Sequence, residues 1–407
     1  MVVLPLRVEL MTQLEPVSGT SRSHADMYEQ KKALWKRRVS VQGIDSETEK
    51  SVLDVLRNGP WYTGGEQTES LEKEIAEHFQ TKYALSCATG TAAWHLTLMA
   101  YDIGQGDEVI LPANGFMSIV CAIAHVNAKP VLVDVEDETY NLDLAKVQKI
   151  ITPRTKVILL PHIGGHPVDI DPFIELGRRK NIKIVGDTAR ALGSKYKGKP
   201  VCSLPDITFA SIGSKSIGSG GLGGIAMTND EELVEKMRLM RGYGKESWSG
   251  GQEYSYFGLN YEMSEIGAAI ARHQLRKLNG WQELRRSHAK LTNEILERVQ
   301  HVQVPVEKPW AYSVYTTYFL KVLQKRDELV QHLRQNGVRG EGRFNGPGHY
   351  PFIHMQKPVQ DRFGYKEGQF PVLEDQAKKI VALDVGPTRT REEITQVAEL
   401  IRDFCSR

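Results

Sequence analysis

The densest chemical signal in the chain is Phe209-Ala-Ser-Ile-Gly-Ser-Lys215-Ser-Ile-Gly218-Ser-Gly220-Gly221-Leu-Gly223-Gly224, a single amine inside a glycine-rich turn. Gly213-Ser-Lys215-Ser is not a phosphate-cradling P-loop, because that motif needs Gly, Lys and Ser/Thr adjacent and Ser214 interrupts them. Gly218-Ser-Gly220-Gly-Leu-Gly223 fits GxGxxG in form. A dinucleotide fold needs those glycines to open a helix, whereas here they run into the strand-like Gly-Ile-Ala-Met-Thr228. Two readings remain. One is a solvated loop lysine. The other is a lysine at a strand end, in a turn that lets backbone approach a bound anion and a cofactor ring. An amine that attacks an aldehyde needs a depressed pKa and open surroundings, and the glycines supply the second.

A second group lies 28 residues upstream, in Ile182-Lys-Ile-Val-Gly-Asp187-Thr-Ala-Arg190-Ala-Leu-Gly193. Asp187 ends an apolar strand, where open α/β sheets bind ligands. It either caps the helix that follows or faces a cationic partner such as a protonated pyridine nitrogen. A third group is Cys87-Ala-Thr89-Gly90-Thr91-Ala-Ala-Trp-His-Leu, a strand running through small residues into a helix. Free N–H groups at such a helix start bind phosphate, and an ordinary threonine cap is the simpler alternative.

These groups need a common scaffold. Short β-branched runs at Tyr83–Cys87, Val109–Leu111, Pro130–Val135, Val157–Leu160, Ile182–Val185, Ile207–Ser211 and Gly224–Thr228 alternate with helical spacing such as Thr91–Ala100 and Ile174–Lys180. Near-continuous apolar strands separated by helices indicate an α/β fold, with a mostly parallel central sheet covered on both faces. Helical spacing also covers Thr48–Leu56 and Glu66–Phe79, and one long helix is expected over Met263–Val299. A strand at Tyr315–Leu323 and helices at Asp327–Asn336 and Thr390–Phe404 suggest a smaller C-terminal α+β domain. The expected organisation is an N-terminal arm (1–45), a large domain (46–265), then the long helix and small domain (266–407).

Composition narrows the classes. The 407 residues are enough for two or three domains, with 41% hydrophobic and 25% charged residues, the balance of a globular protein. A net charge of +2 gives no general pull toward nucleic acid or anionic membrane. No apolar run approaches the ~18 residues that span a bilayer, and the N-terminus lacks the features of a secretory signal. Cys87, Cys121, Cys202 and Cys405 are scattered, without CxxC or metal spacing, which fits free thiols in the cytoplasm.

With these residues in view, the sequence resembles the DegT–StrS family of sugar aminotransferases, pyridoxal 5'-phosphate (PLP) enzymes of fold type I. The resemblance runs from about residue 48 to near the end. It rests on Trp61-Tyr-Thr-Gly64, Ala88-Thr-Gly-Thr-Ala-Ala-Trp-His-Leu, Gly106-Asp-Glu-Val-Ile-Leu-Pro112, Gly186-Asp-Thr-Ala-Arg-Ala-Leu-Gly193, the Lys215 turn, Gly258-Leu-Asn260-Tyr-Glu-Met-Ser264 and His349-Tyr-Pro351-Phe-Ile-His354. It implies that Lys215 holds the cofactor covalently and then shuttles the proton, and that Asp187 pairs with the ring nitrogen. Gly90 and Thr91 would hold the phosphate. Phe116 matches the aromatic that stacks on the ring, although a core phenylalanine at a helix start reads the same way. Asn260 resembles the residue that reaches the neighbouring subunit's phosphate, which implies a homodimer with shared sites.

Departures from the family pattern are also legible. Five residues before the lysine the family usually has a phosphate-holding serine; here stands Ala210, with Ser211 one place later. One step along a strand reverses the face, so Ser211 is not expected to substitute, and Ser214 is the candidate replacement. Arg190 replaces a common Gln or His near the cofactor edge, Leu222 a common acid and Glu262 a common arginine. The expected reaction is two-stage transamination, from glutamate or glutamine to a keto sugar (nucleotide-linked or free) or keto-cyclitol, in amino-sugar or antibiotic biosynthesis. Other PLP chemistry on a sugar-like substrate, or a non-catalytic PLP-binding sensor, are the alternatives. The loops Tyr243–Gly251 and Gly340–Gly348 are candidates for acceptor recognition.

Overall fold

A computed structural model describes residues 43–60, 62–213, 216–246, 253–338 and 352–406. Apart from residues 43–45, the expected N-terminal arm lies outside the described residues.

Seven short strands form the central sheet: β1 (Tyr83–Cys87), β2 (Glu108–Pro112), β3 (Lys129–Val133), β4 (Thr155–Pro161), β5 (Lys183–Asp187), β6 (Ile207–Ser211) and β7 (Gly224–Thr228). Their spatial order is β1-β7-β6-β5-β4-β2-β3. The β3–β2, β2–β4, β4–β5 and β5–β6 pairs are parallel, while β7 runs antiparallel to both of its neighbours. Parallel neighbours need a crossover, usually a helix, whereas a turn suffices to reverse the chain. Between β6 and β7 there is only the glycine-rich Lys215 segment, so β7 returns beside β6.

Helices α1 (Ser46–Asn58), α2 (Glu66–Phe79), α3 (Gly90–Ala100), α4 (Met117–His125), α5 (Leu144–Ile150), α6 (Ile170–Lys180), α7 (Glu231–Arg241), α8 (Glu265–Leu275) and α9 (Leu278–Leu296) accompany the sheet. Successive strand residues point to opposite faces, and the core divides accordingly. On one face Val157, Leu159, Val185, Ile207 and Phe209 pack with Trp94 and Leu96 of α3, Ile119 and Ile123 of α4, and Met237 of α7. On the other, Ile158, Leu160, Ile184, Ala210 and Ile225 pack with Leu71 and Ile75 of α2, Phe173 and Leu176 of α6, and Leu275 of α8.

The single helix expected over 263–299 is two helices. Their junction at Arg276 and Lys277 keeps right-handed helical angles, and the Lys277 N–H reaches back only to the Gln274 carbonyl. Neither Gly nor Pro marks the junction. The two helices have different partners: α8 packs on α1 and α2, whereas α9 packs on the C-terminal helix. Beyond α9, β8 (Val302–Gln303), β9 (Tyr318–Val322) and β10 (Ile380–Leu383) form an antiparallel sheet. Helices α10 (Arg326–Gln335), α11 (Lys357–Phe363), α12 (Pro371–Lys379) and α13 (Arg391–Cys405) follow or flank it. Leu296, Tyr318, Leu320, Leu333, Ile394 and Ile401 give this region its own apolar cluster. No helix among the described residues is long and apolar enough to cross a membrane, and all four cysteines are free thiols.

Candidate active site

Asp187 is the last residue of β5, and alternation from Val185 places it on the face that carries α3 and α4. Its Cα partners are Pro161 on β4 and Phe209 on β6. The carboxylate accepts a hydrogen bond from the Ala189 N–H at 3.0 Å. Burial pushes its pKa up to about 6, against the pull of that N–H and of Arg190. It does not start a helix, because residues 188–193 form turns. The helix-capping alternative therefore falls away.

The start of α3 lies beside the end of β6. Thr89 caps the helix, its hydroxyl accepting from the Ala92 N–H at 2.9 Å, which leaves the Gly90 and Thr91 N–H groups at the open end of the first turn. Thr91 is exposed. Glycine at 90 is needed for close approach: a Cβ there would stand 2.9 Å from Ser211 Cα and Cβ. Gly224 has the same requirement, since its Cβ would lie 2.1 Å from the Thr89 carbonyl oxygen. Below, Trp94 stacks on Phe209 with ring centroids 5.1 Å apart and anchors its indole N–H on the Ile119 carbonyl.

The β6 face differs from the expectation drawn from spacing. Ala210 and Ser211 do point to opposite faces, but Ala210 is fully buried in the α2–α8 layer, while Ser211 is exposed beside Gly90. The side chain that shares Asp187's face is Ser211. A residue count from the lysine could not show this, because the face is fixed by the core packing of Ile207, Phe209 and Ala210.

Phe116 caps α4 at the end of β2 and is 55% exposed, which rules out the core reading. Arg190 is half-buried in the turn after Asp187, and its carbonyl accepts from the Thr316 hydroxyl. Behind it, burial pushes the Arg285 guanidinium down to about 10, Asp384 opposing and Arg190 adding to the shift. Asn260 is exposed, its amide donating to the Tyr243 hydroxyl at 3.0 Å. Ser214 and Lys215 lie outside the described residues, as do residues 247–251 of the first candidate recognition loop and all of the second, 340–348. The flanks of Lys215 are fixed: the Gly218 and Ser219 N–H groups donate to the Ile212 carbonyl at 3.0 Å, and Gly213 sits where a Cβ would be 2.5 Å from the Gly221 oxygen.

One anchor has no motif of its own in the sequence. Buried Glu265, the first residue of α8, accepts from the Gly65, Gln67 and Thr68 N–H groups at 3.1, 2.8 and 3.0 Å. Its own N–H donates to the Tyr62 carbonyl at 3.0 Å. One carboxylate thus caps α2 and ties the Tyr62–Gly65 loop to the Asn260–Ser264 segment. That segment reaches the α3 start through Tyr261, whose carbonyl accepts from the Ala88 N–H at 2.7 Å.

Comparison with known proteins places this arrangement. Residues 42–402 match the model of the DegT/DnrJ/EryC1/StrS aminotransferase family. A pleiotropic regulatory protein of Geobacillus stearothermophilus is 34% identical, covering 87% of this chain and 93% of its own length. The dTDP-3-amino-3,4,6-trideoxy-alpha-D-glucose transaminase of Streptomyces venezuelae is 31% identical over 91% of this chain and 95% of its own. The crystal structure of S. venezuelae DesV superposes with a TM-score of 0.83 at 29% identity, covering 94% of this chain and 97% of that one.

Proposed function

Because the chain belongs to the DegT/DnrJ/EryC1/StrS aminotransferase family and is a PLP-dependent aminotransferase of fold type I, we propose that it moves an amino group from glutamate or glutamine to a keto sugar. The observation that carries this reading is that Asp187 and the open α3 N-terminus lie on one face of the sheet, with Ser211 and Gly224, which flank the Lys215 turn, packed against that helix start. A nucleotide-linked acceptor is favoured over a free sugar or a keto-cyclitol, because a relative 31% identical acts as a transaminase on a dTDP-linked sugar. Amino-sugar or antibiotic biosynthesis is the corresponding setting, in the cytoplasm.

The residues present fit the cofactor. A carboxyl raised to about 6 by burial calls for a cation opposite, and a protonated ring nitrogen is one. The α3 start offers N–H groups to a phosphate at the point where Gly90 packs on Ser211, which a Cβ on residue 90 would meet at 2.9 Å. The exposed Phe116 ring at the end of β2 offers a stacking surface. When bound, PLP supplies an electron sink for the pair left at the donor's α-carbon.

The protein's own groups do the rest. Lys215 Nζ would anchor the cofactor, carry a proton from the donor α-carbon to the cofactor's C4′ and, in the second half-reaction, carry one from C4′ to the acceptor carbon. Asp187 keeps the proton on the ring nitrogen. Gly90 and Thr91 hold the phosphate, Phe116 orients the ring, and Arg190 sets a fixed positive charge at its edge. Ser214, next to the lysine in the sequence, is a further candidate for the phosphate on sequence grounds alone.

We read the working form as a homodimer with shared sites. Phe257, 98% exposed, and Leu222, 76% exposed, are the apolar side chains that such a dimer would be expected to cover. Asn260 stands close to Phe257 in sequence and is exposed, available to a partner's phosphate. The test is the visible spectrum of purified enzyme before and after glutamate or glutamine. Loss of the cofactor's aldehyde-derived band with release of the matching 2-oxo acid supports transamination. An unchanged spectrum with every donor contradicts it and favours a non-catalytic binder.

A further inference from the structure

We propose that the hydroxyl of Ser211, displaced by one residue from the family's serine position, is the side-chain ligand of the cofactor phosphate. The inference rests on the reading above that the phosphate sits at the α3 start.

Three observations converge. Strand β6 sends Ile207 and Phe209 into the α3–α4 layer and Ala210 into the opposite one, so alternation puts Ser211 on the cofactor face. Register then fixes its distance along that face: Phe209 is the Cα partner of Asp187, and Ser211 is the next residue on the same side, toward the strand's C-terminal end. Contact fixes its neighbour, because a Cβ on Gly90 would lie 2.9 Å from the Ser211 N, Cα and Cβ atoms. Ser211 is therefore the side chain of β6 that borders the first N–H of α3. It is also exposed, as a ligand-facing group must be.

Position 210 cannot serve. Ala210 is fully buried among Ile225, Met227 and the α2 side chains, and a hydroxyl there would face hydrocarbon. The chain thus keeps the serine on the cofactor face and shortens its spacing to the lysine to four residues. The turn that follows is held for this path: the Ser211 carbonyl accepts from the Ser216 hydroxyl at 3.2 Å, and the Ile212 carbonyl takes the Gly218 and Ser219 N–H groups.

The test is spectral titration of apoenzyme with PLP and, separately, with pyridoxal, which lacks the phosphate. A hydroxyl lost from a doubly charged acceptor weakens PLP by about tenfold or more. Ser211→Ala should show that loss and leave pyridoxal affinity unchanged, while Ala210→Ser should not improve PLP binding. Equal loss of both ligands, or no loss of PLP, overturns the proposal. Gly90→Ala separates the two levels of the argument. If it weakens PLP selectively while Ser211→Ala does nothing, the phosphate is at α3 and only the Ser211 role falls. If neither variant discriminates PLP from pyridoxal, the placement of the phosphate falls as well.

Discussion

Gly65 and Glu265 stand 200 residues apart in the chain, yet the Gly65 N–H donates to the Glu265 carboxylate at 3.1 Å. A Cβ at position 65 would come within 2.6 Å of the other carboxylate oxygen, so the contact depends on glycine there. Through this contact the start of α2 and the start of α8 hold each other.

Glu265→Ala removes an acceptor shared by the Gly65, Gln67 and Thr68 N–H groups. Leaving buried donors without partners costs about 1–3 kcal/mol each before water or rearrangement compensates. Denaturant titration should show a loss of roughly 2–4 kcal/mol. Glu265→Gln, which keeps one acceptor oxygen, should lose less. Equal stability of all three proteins would contradict the capping role.

Glu72 of α2 is bonded to Arg241 at 2.6 Å, Arg238 at 3.1 Å and the Ser86 hydroxyl at 2.7 Å. Burial raises its pKa, but Arg241, the Ser86 N–H and Arg238 together outweigh burial and hold it below the usual carboxylate range. Glu72→Gln leaves Arg241 without its charge partner and should cost roughly 3–5 kcal/mol at neutral pH. The folded carboxyl titrates below the unfolded one. Its contribution is therefore complete above about pH 4.5 and fades as the pH falls through the folded value. A gap between wild type and variant that does not narrow in acid would contradict this.

Asp187 behaves in the opposite sense. Its folded pKa of about 6 exceeds the ordinary carboxylate value of 3.8, so in the apoenzyme the group favours the folded state only while protonated. That preference is lost as the pH rises through 6. Apo Asp187→Asn should be more stable than apo wild type above pH 6, by roughly 1–3 kcal/mol, and equal to it below pH 4. Cofactor binding should invert the order, because only the carboxylate stabilises a protonated ring. Thermal melts of apo and reconstituted enzyme across pH check both halves. An unchanged rank order on reconstitution would contradict the pairing.

Gly224→Ala places a methyl group 2.1 Å from the Thr89 carbonyl oxygen, and backbone must shift to relieve it. The β1–β7 register should survive while the α3 start moves outward. PLP affinity should fall at least tenfold with little change in the far-ultraviolet circular dichroism. Normal cofactor affinity in a folded variant would show that the α3 start does not have to sit where the structure has it.

Much of the scaffold was legible in the sequence because local pattern and tertiary packing agree there. Tyr83–Cys87, Ile207–Ser211, Gly224–Thr228 and Glu66–Phe79 have in the structure the bounds read from the sequence. The mostly parallel sheet followed from strand composition, and the single reversal at β7 follows from the short β6–β7 link. Other features depend on tertiary contacts. The α8–α9 junction has no breaker residue and arises because the two helices pack on different partners. Glu265 caps a helix far from it in the chain, and no local spacing signals such a bond. Ala210 and Ser211 face opposite sides as alternation requires, but spacing from Lys215 does not say which of them shares Asp187's face, and only the burial of Ala210 reveals it.

The central claim is that Lys215 carries the cofactor, and borohydride reduction followed by peptide mass mapping tests it most directly. The account predicts a single phosphopyridoxyl mass increment on the peptide containing Lys215, absent from Lys215→Ala. A label on another lysine, or undiminished labelling of Lys215→Ala, would contradict it.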